Sequence, residues 1–335
     1  MFRLIAAALL AGALAACAGG AADPRAPLTG TLMNATPPTP DGENQIETQP
    51  PQTLRLTGAA QSPVAHWPAQ GAARAVILGL HGYGDYGAST FGRAAAAWSA
   101  RGIAVYAPDQ RGFGRAPGWQ RWPGAGTLIA DAGAMFAAVQ ARHPGMPVFV
   151  AGHSMGGAVA LAAAGEGHLP GAAGLILLAP AVWGGDDLGP HLRASAWLAA
   201  LVVPDVRWTG RGLVQIHPSD NDVMLRALSR DPLHYAAPSG REFLGLVRLM
   251  DRAVATAPHV DAPALVVLGA HEDVVDPATV RALPGRLRGP ADFAYVPDGW
   301  HMLLRDRNAG KVHDLTADWA LARAADALPT ETTAR

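Results

Sequence analysis

From about Leu54 onward the chain alternates short apolar runs with longer stretches whose apolar residues recur at helical spacing. The short runs predict strands at Ala75–Leu80, Ile103–Ala107, Val148–Ala151, Leu175–Ala179, Ala264–Leu268 and Phe293–Val296. Between them, Ala94–Ala100, Leu128–Arg142 and Met155–Ala164 predict helices. The strand runs are continuous rather than alternating in polarity. A strand that is apolar on both faces must be covered on both faces, which means a mostly parallel sheet between two layers of helices. The pattern therefore predicts an α/β fold, and no internal repeat competes with it.

One interval breaks the alternation. After Pro180 the next strand run begins at Ala264, and the interval holds Trp183, Trp197, Trp208, a helical run at Ala194–Val203 stopped by Pro204, and another near Phe243–Ala255. An insertion of this length predicts a helical cap at about 183–256 in a domain spanning 53–330. It would lie over the carboxyl ends of the strands, where open α/β sheets bind ligands. The other reading makes these aromatics the core of a longer α/β wrap.

Half of the 335 residues are apolar and 16% are charged, enough for a sizeable core. A formal net charge of -1 gives no electrostatic case for nucleic acid or an acidic membrane surface. Lys311, the only lysine, lacks the glycine-rich loop of a phosphate site, and the histidines are scattered without metal-ligand spacing. No metal is expected.

The N-terminus has a pattern of its own. Met1-Phe2-Arg3 is a short basic start, and Leu4 to Ala16 is an apolar run too short to span a bilayer, so residues 1–16 read as an export signal. Residues 17–52 lack apolar clustering and carry Pro37-Pro38-Thr39-Pro40 and Pro50-Pro51, which favour an extended tether. Cys17 is the only cysteine, so no intramolecular disulfide can form. Leu14-Ala15-Ala16-Cys17 resembles the lipobox of bacterial lipoproteins. That resemblance implies cleavage before Cys17, its lipidation, and a location on the periplasmic side of a membrane in the bacterial cell envelope. An ordinary signal peptide cut near Ala16, with Cys17 incidental, is the alternative.

Candidate chemistry begins at Gly152-His153-Ser154-Met155-Gly156-Gly157. It contains Gly-x-Ser-x-Gly between a predicted strand and a predicted helix, the setting of a serine nucleophile on a sharp, strained turn. A serine hydroxyl needs a base within reach, and the base needs an acid to hold its tautomer. Two later turns supply them. Gly269-Ala270-His271-Glu272-Asp273 follows the strand at Ala264–Leu268, and Pro297-Asp298-Gly299-Trp300-His301-Met302 follows the strand at Phe293–Val296. Ser154, a carboxylate at Glu272 or Asp273, and His301 thus stand at three strand ends in the order nucleophile, acid, base. The developing oxyanion needs donors. The amide of Met155 is one candidate. The amide of Tyr83 is the other, in His81-Gly82-Tyr83-Gly84, where the adjacent glycines allow the turn.

Neighbouring polar residues have quieter readings. His81 and His153 would support the oxyanion loop and elbow from behind, Asp109 and Arg111 would hold a turn, and His271 would be solvated. Trp119 and Trp122 either line an entrance or pack. Gly82-Tyr83-Gly84-Asp85-Tyr86-Gly87 also matches Gly-x-Gly-x-x-Gly, with Asp109 where a ribose-binding acid belongs. A nicotinamide-dependent oxidoreductase would leave the elbow and His301 unexplained, and an exported protein has little access to that cofactor.

Four stretches together carry a more specific resemblance: His81-Gly82-Tyr83-Gly84-Asp85-Tyr86, Asp109-Gln110-Arg111-Gly112-Phe113-Gly114, Gly152–Gly157 and Gly299-Trp300-His301-Met302-Leu303-Leu304. In this order, over about Leu54 to Leu328, the chain resembles the monoacylglycerol lipase and lysophospholipase group of α/β-hydrolases, also called serine aminopeptidase-like hydrolases. The resemblance implies an α/β-hydrolase fold and cofactor-free cleavage of an ester of a small or lipid-like alcohol. It also implies Ser154 as nucleophile, His301 as base, and Tyr83 and Met155 as oxyanion donors. The family's acid sits at Gly-x-x-Asp. Counting from Gly269 places Glu272 there, while Asp273 would require a turn longer by one residue. A non-catalytic lipoprotein using this fold for binding would lack a triad member, and the only hint of that is Glu272 standing for Asp.

Overall fold

The computed structural model describes residues 52–54, 62–184, 189–207 and 216–327, with 52–54, 191 and 192 described by backbone alone. The export signal, Cys17 and residues 18–51 of the tether lie outside the described residues.

Eight strands form one sheet: β1 (Gln52–Leu54), β2 (Val64–Trp67), β3 (Ala75–Leu80), β4 (Ile103–Pro108), β5 (Val148–His153), β6 (Gly174–Leu178), β7 (Ala264–Gly269) and β8 (Ala291–Val296). Their order across the sheet is β1-β2-β4-β3-β5-β6-β7-β8. The ladder from β4 to β8 is parallel, and β2 and β1 add an antiparallel edge. All six strands predicted from apolar runs are present. β1 and β2 were not anticipated, because β2 is a four-residue segment carrying His66 and gives no continuous run.

Side-chain alternation sorts the core into two layers. Val76, Leu78 and Leu80 of β3 and Val148 and Val150 of β5 face one layer. Ala75 and Ile77, with Phe149 and Ala151, face the other. Helices α1 (Gly87–Ala100) and α8 (Ala309–Ala327) cover the second layer, where the buried Trp98 indole N–H donates to the carbonyl of His313 at 3.0 Å and to Thr316 Oγ1 at 3.1 Å. Helices α2 (Ala125–Arg142) and α3 (Met155–Gly165) cover the first. The start of α1 and the whole of α8 had no clear periodic signal. Their buried positions are mostly alanine and small residues, which mark an apolar stripe weakly.

The interval between β6 and β7 contains α4 (Pro190–Val202), α5 (Asp222–Leu228) and α6 (Gly240–Thr256). Its loops reach the carboxyl ends of the strands: Tyr235 N–H bonds to Gly84 O after β3, and Met302 N–H bonds to Pro218 O after β8. Helix α6 serves two layers. Its first turn, with a capping box between Ser239 and Glu242, lies under the loops, while its body packs into the core layer shared with α3. Arg193 of α4 pairs with Asp251 of α6 at 2.7 Å. Helix α7 (Pro277–Ala282) follows the turn that carries Glu272 and Asp273.

The sheet changes winding direction between β3 and β5. Chain order runs outward to β4 on one side and to β6, β7 and β8 on the other. A crevice at such a switch point, outside the strand carboxyl ends, is where open α/β sheets place ligands. Ser154 and the Tyr83 loop stand at the ends of these two strands.

Candidate active site

Ser154 occupies a backbone conformation of φ 53° and ψ -116°, between the end of β5 and the first turn of α3. A non-glycine residue there costs on the order of 1–3 kcal/mol and must be held by its surroundings. The surroundings are hydrogen bonds and close backbone packing. Ser154 N–H donates to Leu178 O at 3.0 Å, and Ser154 O accepts from Gly157 N–H and Ala181 N–H, both at 2.9 Å. A Cβ on Gly156 would lie 2.0 Å from Leu80 O, and one on Gly152 would lie 2.4 Å from Gly156 O. The motif glycines are therefore required by the crossing of strand and helix, and the side chain of Ser154 is left partly exposed at the top.

Two loops bring His301 and Glu272 together. His301 Nδ1 lies 2.8 Å from Glu272 Oε2. A carboxylate can only accept, so the proton of this bond sits on Nδ1 and Nε2 is the ring nitrogen left outside the pair. The other oxygen, Glu272 Oε1, accepts from Val274 N–H at 2.7 Å and Val275 N–H at 2.9 Å. The two side chains are 6% and 0% exposed. Burial alone would raise the Glu272 carboxyl, but the His301 ring and the two amides outweigh it and hold it below the ordinary glutamate range.

Asp273 points elsewhere. Its Oδ2 accepts the amide of His217 at 2.8 Å, in the segment entering α5. Of the two carboxylates read from the sequence, the structure joins Glu272 to His301.

His153 links the His301 loop to the elbow. Its Nε2–H donates to the His301 carbonyl at 2.9 Å, and the two rings lie 5.0 Å apart. Burial, then His301 and Arg305, push its pKa down to about 3, so it stays neutral and donates one proton to one fixed acceptor. His301 is thereby held beside the residue that follows His153, the candidate nucleophile.

The loop after β3 closes the remaining side. A Cβ on Gly82 would stand 3.5 Å from Ser154 Cβ, which shows how closely this loop runs past the elbow. The buried His81 ring shapes it: Nδ1–H donates to Gly82 O at 2.8 Å, and Nε2 accepts from Gln110 N–H at 2.8 Å. Gly84, at φ 73°, abuts the interval between β6 and β7 so tightly that a Cβ would fall 1.7 Å from Tyr235 O. The Tyr83 ring is set edge-on against Phe113 and Tyr235, at 5.4 and 5.6 Å. Met155 is the first residue of α3, so its N–H has no acceptor within the helix and lies at the positive end of the helix dipole. Both amides proposed as oxyanion donors thus belong to backbone turns beside Ser154.

Other polar residues named from the sequence are engaged in packing. Asp109 accepts from Gly87 N–H at 3.0 Å and Arg115 N–H at 2.9 Å, so the acid of the dinucleotide reading is occupied by two turns of its own chain. Arg111 pairs with Asp131 through bonds of 2.8 and 2.9 Å. Trp122 packs on Gly245, Trp119 lies edge-on to Tyr235, and the exposed His271 stacks on Trp300 at 4.8 Å.

Several contributors had escaped the sequence reading. Arg305 forms a buried ion pair with Asp85 at 2.6 Å, and Asp306 accepts from Trp300 N–H at 2.8 Å. Both lie within five residues of His301, so proximity to the base was the available signal. Tyr235, Arg207 and Glu242 lie far from every motif. Arg207 joins Glu242 at 2.9 Å and sits 4.9 Å from the centre of the Tyr235 ring.

Two outcomes are expected. Glu272→Gln should lower kcat by roughly 10³–10⁴-fold, as loss of the orienting acid does in other triads. Asp273→Asn should lower it by less than about 10-fold; the reverse order in steady-state assays would reassign the acid. Because the Glu272 pKa is depressed in the folded protein, its stabilising effect is present above the unfolded value and lost as pH falls through the folded value. The stability gap between wild type and Glu272→Gln, followed by urea unfolding, should therefore narrow as pH drops below about 4. A gap independent of pH would contradict an ionised, paired Glu272.

Comparison with known proteins agrees with this architecture. Residues 71–308 match the family described as serine aminopeptidase, S33. A monoacylglycerol lipase of Mycolicibacterium smegmatis is 27% identical over 253 residues, covering 73% of this chain and 88% of its own. Among solved structures, a soluble variant of monoglyceride lipase from Saccharomyces cerevisiae, in complex with a substrate analog, superposes with a TM-score of 0.69 at 22% identity, covering 86% of this chain and 99% of that one. The monoacylglycerol lipase of Paleococcus ferrophilus gives 0.67 at 20% identity, covering 78% and 99%. With an eight-stranded, mostly parallel sheet and a match across most of its length, the chain belongs to the serine aminopeptidase S33 family of α/β-hydrolases.

Proposed function

We propose that this serine ester hydrolase cleaves monoacylglycerol- or lysophospholipid-like esters through an acyl-enzyme, with Ser154 as nucleophile, His301 as base and Glu272 as its acid. One observation carries the reading. Ser154 is held at a positive φ, and the adjacent His153 donates to the backbone of His301, whose ring is paired with the buried Glu272. In the proposed reaction His301 Nε2 takes the proton of Ser154 as its oxygen attacks the ester carbonyl. Glu272 holds the Nδ1–H tautomer and stabilises the imidazolium that forms. The amides of Tyr83 and Met155 receive the oxyanion without having to reorganise. The leaving alcohol takes the proton from His301. Water, activated by the same ring, then adds to the acyl carbonyl and releases the acid. No step calls for a cofactor. The lipid-like substrate is supported by relatives that are monoacylglycerol lipases and by the yeast neighbour's complex with a substrate analog.

The location is part of the proposal. The basic start, the apolar run and Cys17 support an exported lipoprotein whose catalytic body is tethered to the periplasmic side of a membrane. A lipid-anchored esterase would meet its substrate at that surface, over a range set by the length of the tether.

A fluorophosphonate probe should label the wild-type protein and leave Ser154→Ala unlabelled; equal labelling of both would remove Ser154 as nucleophile. In the same preparations, monoacylglycerol and lysophospholipid should be turned over with higher kcat/KM than a dipeptide amide. Preference for the amide would overturn the ester reading. The anchor has a separate test. Full-length protein expressed in a bacterial host should partition into the detergent phase of a phase separation, and Cys17→Ser should move it to the aqueous phase. Unchanged partitioning would refute lipidation at Cys17.

A further inference from the structure

The turn carrying His301 is fastened more heavily than the acid–base pair alone requires. Three consecutive residues have their backbone groups tied to three separate parts of the molecule. Trp300 N–H donates to Asp306 Oδ2 at 2.8 Å, the His301 carbonyl accepts from His153 Nε2–H at 2.9 Å, and Met302 N–H donates to Pro218 O at 2.8 Å. The first and third of these converge on one place. Asp306 Oδ1 also accepts the Ser219 hydroxyl at 2.6 Å, and Ser219 follows Pro218.

Segment 216–221, which leads into α5, is stitched to the acid turn and the base turn together. His217 N–H bonds to Asp273 on the acid side. On the base side, Asn221 Nδ2 donates to Arg305 O at 3.0 Å, and Arg307 donates through its amide to Asp220 Oδ1 and through Nε to Asp220 O, both at 2.9 Å. The segment belongs to the interval between β6 and β7, whose loops overlie the strand ends. Any displacement of it moves both catalytic turns.

Asp306 is the only side chain in this set that joins the base turn to itself and to the segment simultaneously. It is 2% exposed, and its two carboxylate partners are neutral, an amide and a hydroxyl. Burying a carboxylate on neutral partners is costly, and the cost appears as a carboxyl raised above its usual range. A group maintained at that cost, hydrogen-bonded to the backbone of the residue just before His301, is not explained by sheet or helix packing.

We propose that Asp306 is a positioning residue for the base: by holding Trp300 N–H and the Ser219 hydroxyl in one carboxylate, it locks the His301 turn to segment 216–221 and so sets the reach of His301 toward Ser154. The inference rests on the reading of His301 as base. A shift of about 1 Å at a catalytic group can cost on the order of 10²-fold in rate. Losing the clamp would change the geometry of proton transfer and leave the substrate-binding surface intact.

The test uses the full mature chain and a water-soluble short-chain ester. Asp306→Ala is expected to lower kcat by roughly 10²-fold with KM within about 2-fold. Asp306→Asn, whose amide can accept from Trp300 N–H and donate to Ser219 Oγ, should recover most of that loss. Ser219→Ala deletes one hydroxyl only and should lower kcat about 3- to 10-fold; it decides the matter if Asp306→Ala fails to fold. A double-mutant cycle supplies the readout that a merely structural role would not move. If Asp306 acts through the base, adding Asp306→Ala to Glu272→Gln should cost little more than Glu272→Gln alone. Fully additive losses, or folded Asp306→Ala and Ser219→Ala proteins with wild-type kcat, would overturn the proposal. His301→Ala separates the two levels. If it retains wild-type activity, the base assignment fails, whereas an inactive His301→Ala beside a fully active Asp306→Ala removes the clamp alone.

Discussion

Everything in the site depends on holding the backbone of Ser154 where a side-chain-bearing residue does not rest by choice. The turn is kept at φ 53° because β5, β3 and α3 cross with almost no space between their backbones, and Gly152 and Gly156 are the positions at which that crossing occurs. The strain is local, but the support is not. It comes from the Leu178 carbonyl at the end of β6, from the Ala181 amide beyond it and from Leu80 in β3. The elbow is therefore held by the centre of the sheet, which suits the proposed nucleophile, since it must meet its base within a few tenths of an ångström.

A second constraint is electrostatic. The proposed acid and base are almost wholly buried, and their pairing must offset the desolvation of Glu272. The offset comes first from the His301 ring and then from the two amides of the turn itself, Val274 and Val275, so one oxygen is satisfied by the turn and the other orients His301. His153, pushed down to about 3, adds a neutral donor rather than a competing charge. The site thus holds an ionised Glu272 and a neutral His153, and the geometry of the Glu272 contact places a proton on His301 Nδ1. That placement of the proton is the one general-base attack by serine requires.

The interval between β6 and β7 contributes to catalytic geometry as well as to cover. Tyr235 donates to Gly84 in the loop after β3, and its ring packs on Tyr83 and Phe113. The Arg207–Glu242 ion pair lies behind it. On the opposite side, residues 217–221 bond to the turns of Glu272 and His301. A segment that would conventionally be assigned to substrate selection is hydrogen-bonded to three of the four loops that the proposed mechanism uses. Substitutions in it are therefore expected to act on rate as well as on selectivity.

Most of the sheet and the order of the chemical groups were legible along the chain. Continuous apolar runs encode strands buried on both faces, and small residues around a serine encode a backbone crossing, because both depend on local residue type. The antiparallel edge strands and the alanine-rich α8 were not legible: β1 and β2 are short segments paired only at the sheet edge, and the burial of α8 comes from what packs on it rather than from any period of its own. Within the site, Ser154, His301 and a pair of adjacent carboxylates could be read from the sequence, but the choice between Glu272 and Asp273 could not. Each is an acid in the same turn, and which one meets the imidazole depends on the path of the backbone there and on the amide of His217, a residue more than fifty positions away, taking the other. The same holds for His153, Tyr235 and Asp306. By itself the sequence determined a serine-centred α/β architecture and the identities of its reactive groups, because those are properties of residue type and spacing. Tertiary structure alone decided which groups touch, because hydrogen bonds across long sequence separations are set by how loops converge at the strand ends.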